Sequence, residues 1–532
     1  MKKVYICIIL IFSVILTGCS STNDESRKPL EVKNITLKND NKYEFKDIDI
    51  NFGTRYIKDP EGYNEPYILR GTMSIPIDIN QNKYKIVLIV HGCHDNNNQK
   101  RFDTGFKYLT EYLAQNGYLA ISIDINAAFD WAYGDNEEYR KIPIIVNEHI
   151  NTLKKANKGE VNYGIDLKNK IDFQNMSIIG HSTGGEAIFK IVEEQNKKGI
   201  RFKNLLAIAP TINIDTNFNI DIENVSILVP GLDGDVVNLN GLSIYNTIRK
   251  TNSNVNLLSA TLLEDANHNF FNSEVSYNDA LRRNIDTINQ ISRSEQEKFL
   301  QKYTVEFLDI CFGKTKENTI YDNKISTVKS IDNLNVINYL ATENRADLIN
   351  FRNIKKIRCR GSKASLVQDC ATLDRDTALG INLPGANNYT TDLLNITWED
   401  NGGEISFIPD IRDLRSYNEI SMNVLIDGLD ELNNKGENQS FTINLTDTSN
   451  KKQSITITKN SNILSYPNGK KEILKLDGAE PIVYWSEITP MINIRIPLNL
   501  YDELDFTNIR KVSITFDETN SGSLMIESIA LN

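Results

Sequence analysis

Residues 84–90 read YKIVLIV, a short run interrupted only by Lys85. Unbroken apolar runs of this length predict strands covered on both faces. Similar runs recur at 118–123 (YLAISI), 176–179 (MSII), 205–209 (LLAIA), 225–229 (VSILV) and 257–263 (LLSATLL). Residues 68–77 read as an earlier strand, antiparallel to its neighbours. Helical spacing lies between the runs. Phe106, Leu109, Tyr112 and Leu113 recur every three to four residues and stop at Asn116-Gly117, a helix-ending pair. Residues 137–155, 186–194 and 294–312 predict further helices. Strand–helix–strand alternation predicts an α/β domain over 41–313, its mostly parallel sheet covered by helices on both faces.

The texture changes after Gly313. Residues 314–345 are polar and show no period, so 314–349 is predicted to be a linker. From 350 the chain alternates with period two: EISFI at 404–408, SFTINL at 440–445, SITI at 454–457 and KVSITF at 511–516. That spacing predicts an all-β sandwich over 350–532. A length of 532 residues suits two cores better than one. The chain has 59 Lys and Arg against 70 Asp and Glu, a net charge of -11. No basic surplus exists to neutralise phosphates, which excludes nucleic acid as an expected partner. The same charge gives no electrostatic attraction to an anionic lipid surface.

The N-terminus changes the picture. Two lysines precede a nearly continuous apolar run at 4–16, too short for a typical membrane span but suited to a signal peptide. Leu16-Thr17-Gly18-Cys19 follows and resembles a bacterial lipobox. That resemblance implies a signal peptide at 1–18, lipidation of Cys19, a polar tether over 19–40, and residence on the outer face of the cell membrane. A plain secretory signal or an uncleaved anchor is the alternative. Of six cysteines, Cys7 leaves with the signal. Cys93, Cys311, Cys359 and Cys370 remain, as four thiols or in one of three pairings.

The chemistry centres on Gly180-His181-Ser182-Thr183-Gly184-Gly185. A G-x-S-x-G sequence between a strand and a helix places its serine on a strained turn, with glycines at 180 and 184 where a side chain would clash. A serine hydroxyl needs a base to take its proton. The chain has five histidines. His268, in DANHNF just past the 257–263 strand, is the candidate. His149 sits inside a predicted helix, as a surface or packing residue. His181 precedes the serine, where its side chain is expected to point away. The base needs an acid to hold its tautomer. Asp233 and Asp235 compete in Pro230-Gly231-Leu232-Asp233-Gly234-Asp235-Val236; Asp233, four residues past the strand end, is the candidate, Asp235 the alternative and Asp265 a distant third. An oxyanion needs fixed donors. The N–H of Thr183 is one candidate. The N–H of Cys93, in His91-Gly92-Cys93-His94, is the other. His91, His94 and Asp95 form a competing metal reading. Two histidines three apart lack a matched third ligand, so no metal is expected.

Taken together, HGCH at 91–94, LAQNGYLAISID at 113–124, GHSTGG at 180–185, GLDGDV at 231–236 and ANHNFF at 266–271 resemble the α/β-hydrolase superfamily. The branch is that of dienelactone hydrolases, chlorophyllases, platelet-activating-factor acetylhydrolases and polyester hydrolases. The resemblance implies an α/β-hydrolase fold and a serine esterase acting through an acyl-enzyme, with an ester substrate and no cofactor. One departure is that 211–223 carries no clear helix where that fold often has one. Phe129 and Trp131 lie in a segment, 127–139, that reads either as a cap over the substrate or as a loop packed on its own domain. The last strands of the β domain resemble galactose-binding-like jelly rolls. That implies either a glycan site, with Trp398, Tyr484 and Trp485 as stacking candidates, or a supporting domain with those rings in its core. The alternatives to a simple esterase are a lipase or deacetylase targeted to polymeric esters by the β domain, and a non-catalytic glycan-binding lipoprotein.

Overall fold

The computed structural model describes residues 27–38, 42–77, 83–94, 100–129, 136–212, 216–251, 254–283, 287–314, 316–370, 391–475 and 481–532. The chain is mixed α/β, with large sheets and few helices. The chain opens with β1 (Arg27–Pro29), which joins a sheet of the second unit; the first unit then holds β2 (Lys33–Ile35), β3 (Phe45–Lys58), β4 (Asn64–Pro76), β5 (Ile86–Val90), α1 (Lys107–Gln115), β6 (Leu119–Ile123) and α2 (Asn136–Lys158). It continues through β7 (Met176–His181), α3 (Thr183–Lys197), β8 (Phe202–Ile208), β9 (Asn224–Pro230), α4 (Asn240–Thr251), β10 (Leu257–Leu263), α5 (Arg293–Cys311), β11 (Val328–Ile331) and β12 (Leu334–Thr342). All but β1 of these strands form one sheet of eleven, ordered β2-β11-β12-β10-β9-β8-β7-β5-β6-β4-β3. The six strands from β6 to β10 run parallel. Antiparallel neighbours extend them: β4 and β3 beyond β6, β12 and β11 beyond β10.

The apolar runs are strands because both their faces are covered. In β5, Ile86, Leu88 and Val90 face a core that includes Ile142 of α2, Ile188 of α3 and Ile244 of α4. Val87 and Ile89 face another, shared with Leu109 of α1 and Phe299 of α5. Alternate side chains of one strand thus feed two layers, the period-two geometry of a pleated chain. Among the described residues, no helix is long and apolar enough to cross a membrane.

The second unit encloses one further core between two antiparallel sheets. One runs Lys452–Ile457, Phe441–Asp447, Ile509–Phe516, Gly403–Phe407, Ile357–Arg360; the other Lys363–Cys370, Thr391–Trp398, Gly522–Leu531, Glu419–Ile426, Ile492–Pro497. Trp398 belongs to this core. It is 1% exposed and stacks on Phe516 at 4.0 Å, so no ligand can stack on it.

Two expectations of unstructured chain are corrected. The segment 314–349, read as a linker, supplies β11 and β12, whose inward residues Val336 and Leu340 are buried. The tether reading of 19–40 fails from residue 27 onward. β1 pairs in parallel with Lys452–Ile457 of the second unit, Leu30 is buried in that unit's core, and β2 pairs with β11. The N-terminal segment therefore straps the two units together. Residues 1–26, with Cys19, lie outside the described residues.

A buried arginine, ion-paired within the second unit, stitches the same boundary. Arg495 is fully buried and donates to Glu419 Oε2 (3.0 Å), to the Ile320 carbonyl (3.2 Å) and to Asn338 Oδ1 of β12 (3.4 Å). Removing one partner of such a pair strands the other charge at a cost of about 3–5 kcal/mol. Arg495→Ala is therefore expected to lower unfolding stability by about that amount, read from the urea midpoint. A loss under about 1 kcal/mol would show that the pair does not hold the units together.

Candidate active site

Ser182 is the residue between β7 and α3. Its backbone sits at φ 57° and ψ -125°, a region that costs a non-glycine residue roughly 1–3 kcal/mol. Neighbouring atoms hold it there. Its N–H donates to the Ile208 carbonyl of β8 (2.9 Å), and its own carbonyl accepts from Glu186 N–H (3.2 Å). The glycines around it are required by close approach. A Cβ on Gly180 would lie 2.3 Å from the Gly184 carbonyl oxygen, and one on Gly184 2.4 Å from that of His91. The turn is thus too tight for side chains at 180 and 184, as expected. Thr183 opens α3, so its N–H is among the first-turn donors with no partner inside the helix, and the helix dipole favours negative charge there.

The loop after β5 meets this turn. A Cβ on Gly92 would lie 2.7 Å from Ser182 Cβ and 3.3 Å from its Oγ. His91 fixes the loop through both ring nitrogens. The Ile125 N–H donates to Nε2 (2.9 Å), so Nδ1–H donates to the Gly92 carbonyl (2.8 Å). A ring bonded in this way is spent as a metal ligand. His94 stacks on Phe102 at 3.8 Å. Asp95 lies outside the described residues. Gly92→Ala is expected to displace the loop or Ser182 and to cost about 1–3 kcal/mol of stability in urea denaturation. An unchanged midpoint would show that the turn has room for a side chain at 92.

His268 follows β10, and Asp233 follows β9. Asp233 Oδ2 accepts from His268 Nδ1 at 2.9 Å, with both side chains buried. The other Asp233 oxygen accepts from the N–H groups of Asp235 (2.9 Å) and Val236 (2.6 Å). Asp235 turns away and pairs with Arg282. Of the two competing aspartates, only Asp233 reaches the histidine. Burial alone would lower the His268 pKa. The Asp233 carboxylate, its hydrogen bond, and the charges of Asp235 and Asp279 outweigh it and push the imidazole up to about 9.

The sequence reading missed Asp279. Its buried carboxylate accepts from the N–H groups of Gly234 (2.7 Å), His268 (3.1 Å) and Asn269 (2.9 Å). One side chain thus ties the loop of Asp233 to the loop of His268. Burial, and then the nearby Asp233, raise its pKa. No motif announces it, because an acceptor of backbone N–H groups needs no special neighbours in sequence.

His181 departs from expectation. Its ring is buried 4.8 Å from the His268 ring, and its Nε2 lies 3.1 Å from the His268 carbonyl. It turns toward the base's backbone because Phe106 and Phe271 pack beside it. Phe129 is also corrected: it is 3% exposed and packed in the core with α2 and α3, which leaves no face for substrate. Trp131 lies outside the described residues. His149 is fully buried, and burial lowers its pKa to about 4. Cys93, Cys311 and Cys359 are thiols; the Cys370 side chain lies outside the described residues. No helix spans 216–223. There Thr216, with Thr211 before it, donates to the buried Glu186 carboxylate (3.0 and 2.7 Å).

No protein-family model matches the chain, and no curated protein sequence matches it significantly.

Proposed function

We propose that the first unit is an α/β-hydrolase and that the protein is a serine carboxylesterase. The observation that carries this reading is the hydrogen-bonded Asp233–His268 pair in one sheet with a strained Ser182, whose neighbour His181 packs its ring 4.8 Å from that of His268. Ser182, Asp233 and His268 stand at the ends of β7, β9 and β10, in the order Ser, Asp, His. In the proposed mechanism Ser182 Oγ attacks the ester carbonyl while His268 Nε2 takes its proton. The N–H groups of Thr183 and Cys93 hold the oxyanion. His268 then protonates the departing alcohol, leaving an acyl-Ser182. Water, deprotonated by His268, attacks that acyl group, and the acid leaves as Ser182 recovers its proton. Asp233 holds Nδ1–H, so that Nε2 presents its lone pair.

The lipobox resemblance supports an anchor through Cys19 that holds this activity on the outer face of the cell membrane. The second unit is read as a jelly-roll-like support. Its tie to the acid's loop favours a positioning role: Arg283 donates to the Gly231 carbonyl (2.9 Å) and to Glu487 of the second unit (2.7 Å). The test is labelling by a serine-directed phosphonate followed by peptide mass mapping. One adduct on Ser182, together with hydrolysis of p-nitrophenyl acetate or butyrate, is expected. No adduct and no hydrolysis of any ester would sink the reading.

A further inference from the structure

A cavity of about 750 Å³ lies between the two units. Its lining includes Gly231, Leu232 and Asp265 of the first unit and Tyr466, Asn468 and Asn493 of the second, but not Ser182, Asp233 or His268. It is therefore a separate space behind the triad's loops. Small-molecule sites concentrate at such boundaries and fall in the range of about 300–1,000 Å³.

The chemistry of the wall narrows the ligand. Its charges balance: Arg283 pairs with Glu487 at 2.7 Å, Lys329 with Glu264 at 3.9 Å, and Asp265 and Lys470 add one of each sign. Carboxamides, hydroxyls and aliphatic side chains supply much of the remaining wall. Asn493 is 3% exposed. Its Nδ2 donates to Ser421 Oγ (2.9 Å) and Asn423 Oδ1 (2.7 Å), yet its Oδ1 accepts no hydrogen bond. That oxygen is sealed from the cavity, so it is a cost of building this wall of about 1–3 kcal/mol and not a contact for a ligand. Tyr466 offers an apolar ring, and its mount is built. Trp485 stands edge-on to it at 6.0 Å, and the Trp485 Nε1–H donates to the Asn468 carbonyl at 2.6 Å. Gly469 lets the loop lie flat on that indole, since a Cβ there would sit 2.6 Å from Nε1. Trp485 thus supports the wall, the second of the two roles read for it from the sequence.

We propose that this cavity is a second binding site, for a neutral oligosaccharide. A sugar combines what the wall asks for: hydroxyl edges for the amides, an apolar face for Tyr466, and no net charge. The proposal does not depend on the esterase reading. The link from Arg283 to Gly231, two residues before Asp233, would carry occupancy to the acid's loop.

The test is calorimetric titration of residues 20–532 carrying Ser182→Ala with neutral hexasaccharides of the β-glucan, chitin, mannan, xylan and galactan series. At least one is expected to bind with a Kd of about 10 μM to 1 mM. Tyr466→Ala removes the platform and Ser465→Trp fills the space. Each is expected to weaken that binding at least about tenfold with the thermal midpoint held. Binding by none of the sugars, or binding that both variants leave intact, would overturn the proposal.

Discussion

Ser182→Ala is expected to lower kcat on p-nitrophenyl butyrate by about 10⁶-fold, leaving roughly 10³–10⁴ over water from the oxyanion donors and binding alone. The residue at 182 also makes a stability statement. At φ 57° and ψ -125° an alanine is as strained as a serine, whereas glycine is at ease there. Ser182→Gly is therefore expected to be as inactive as Ser182→Ala and more stable than it by about 1 kcal/mol in urea denaturation. The paired measurement separates a nucleophile held under strain from a serine that merely ends a core strand. Residual activity within tenfold of native would place the nucleophile elsewhere. A Ser182→Gly variant no more stable than Ser182→Ala would remove the argument from strain.

What could be read from the chain follows from where its information lies. The parallel strands declare themselves because both faces are buried, so each run is mostly apolar. β11 and β12 do not. In β12 the exposed Asn335 and the buried Asn338 interrupt the apolar positions, and a mixed pattern reads as linker. β1 and β2 are three residues each and depend on partners hundreds of positions away. The proposed triad shows the same division. Ser182 and His268 stand in local motifs. The offset from the strand favours Asp233 over Asp235, and the third dimension separates them, because Arg282 draws the second away. Phe129 stayed between two readings because an aromatic cluster after a strand looks alike from sequence whether it caps a cleft or fills a core. Asp279 had no local signal at all.

The acid's role predicts a change in pH dependence as well as rate. His268 must be neutral to accept the serine proton, and Asp233, aided by Asp235 and Asp279, raises its pKa to about 9 against the pull of burial. Native kcat/KM is therefore expected to climb with pH along a limb centred near 9. Asp233→Asn removes the main charge that favours the imidazolium and leaves burial, which lowers the pKa. The limb is expected to move down, toward or below the ordinary histidine value of about 6.5. The variant's plateau should lie about 10⁴-fold under the native one, because an amide no longer selects the Nδ1–H tautomer. Asp235→Asn should keep kcat within about threefold and shift the limb downward only slightly, since Asp235 acts on His268 through charge alone. Stability carries the same sign. A histidine raised in the folded state stabilises the fold fully below its unfolded pKa, near 6.5, and that contribution fades as pH rises through about 9. The native melting temperature should carry a downward component across that window, and Asp233→Asn should lack it. A limb that stays in place in Asp233→Asn and moves in Asp235→Asn would exchange the roles of the two aspartates.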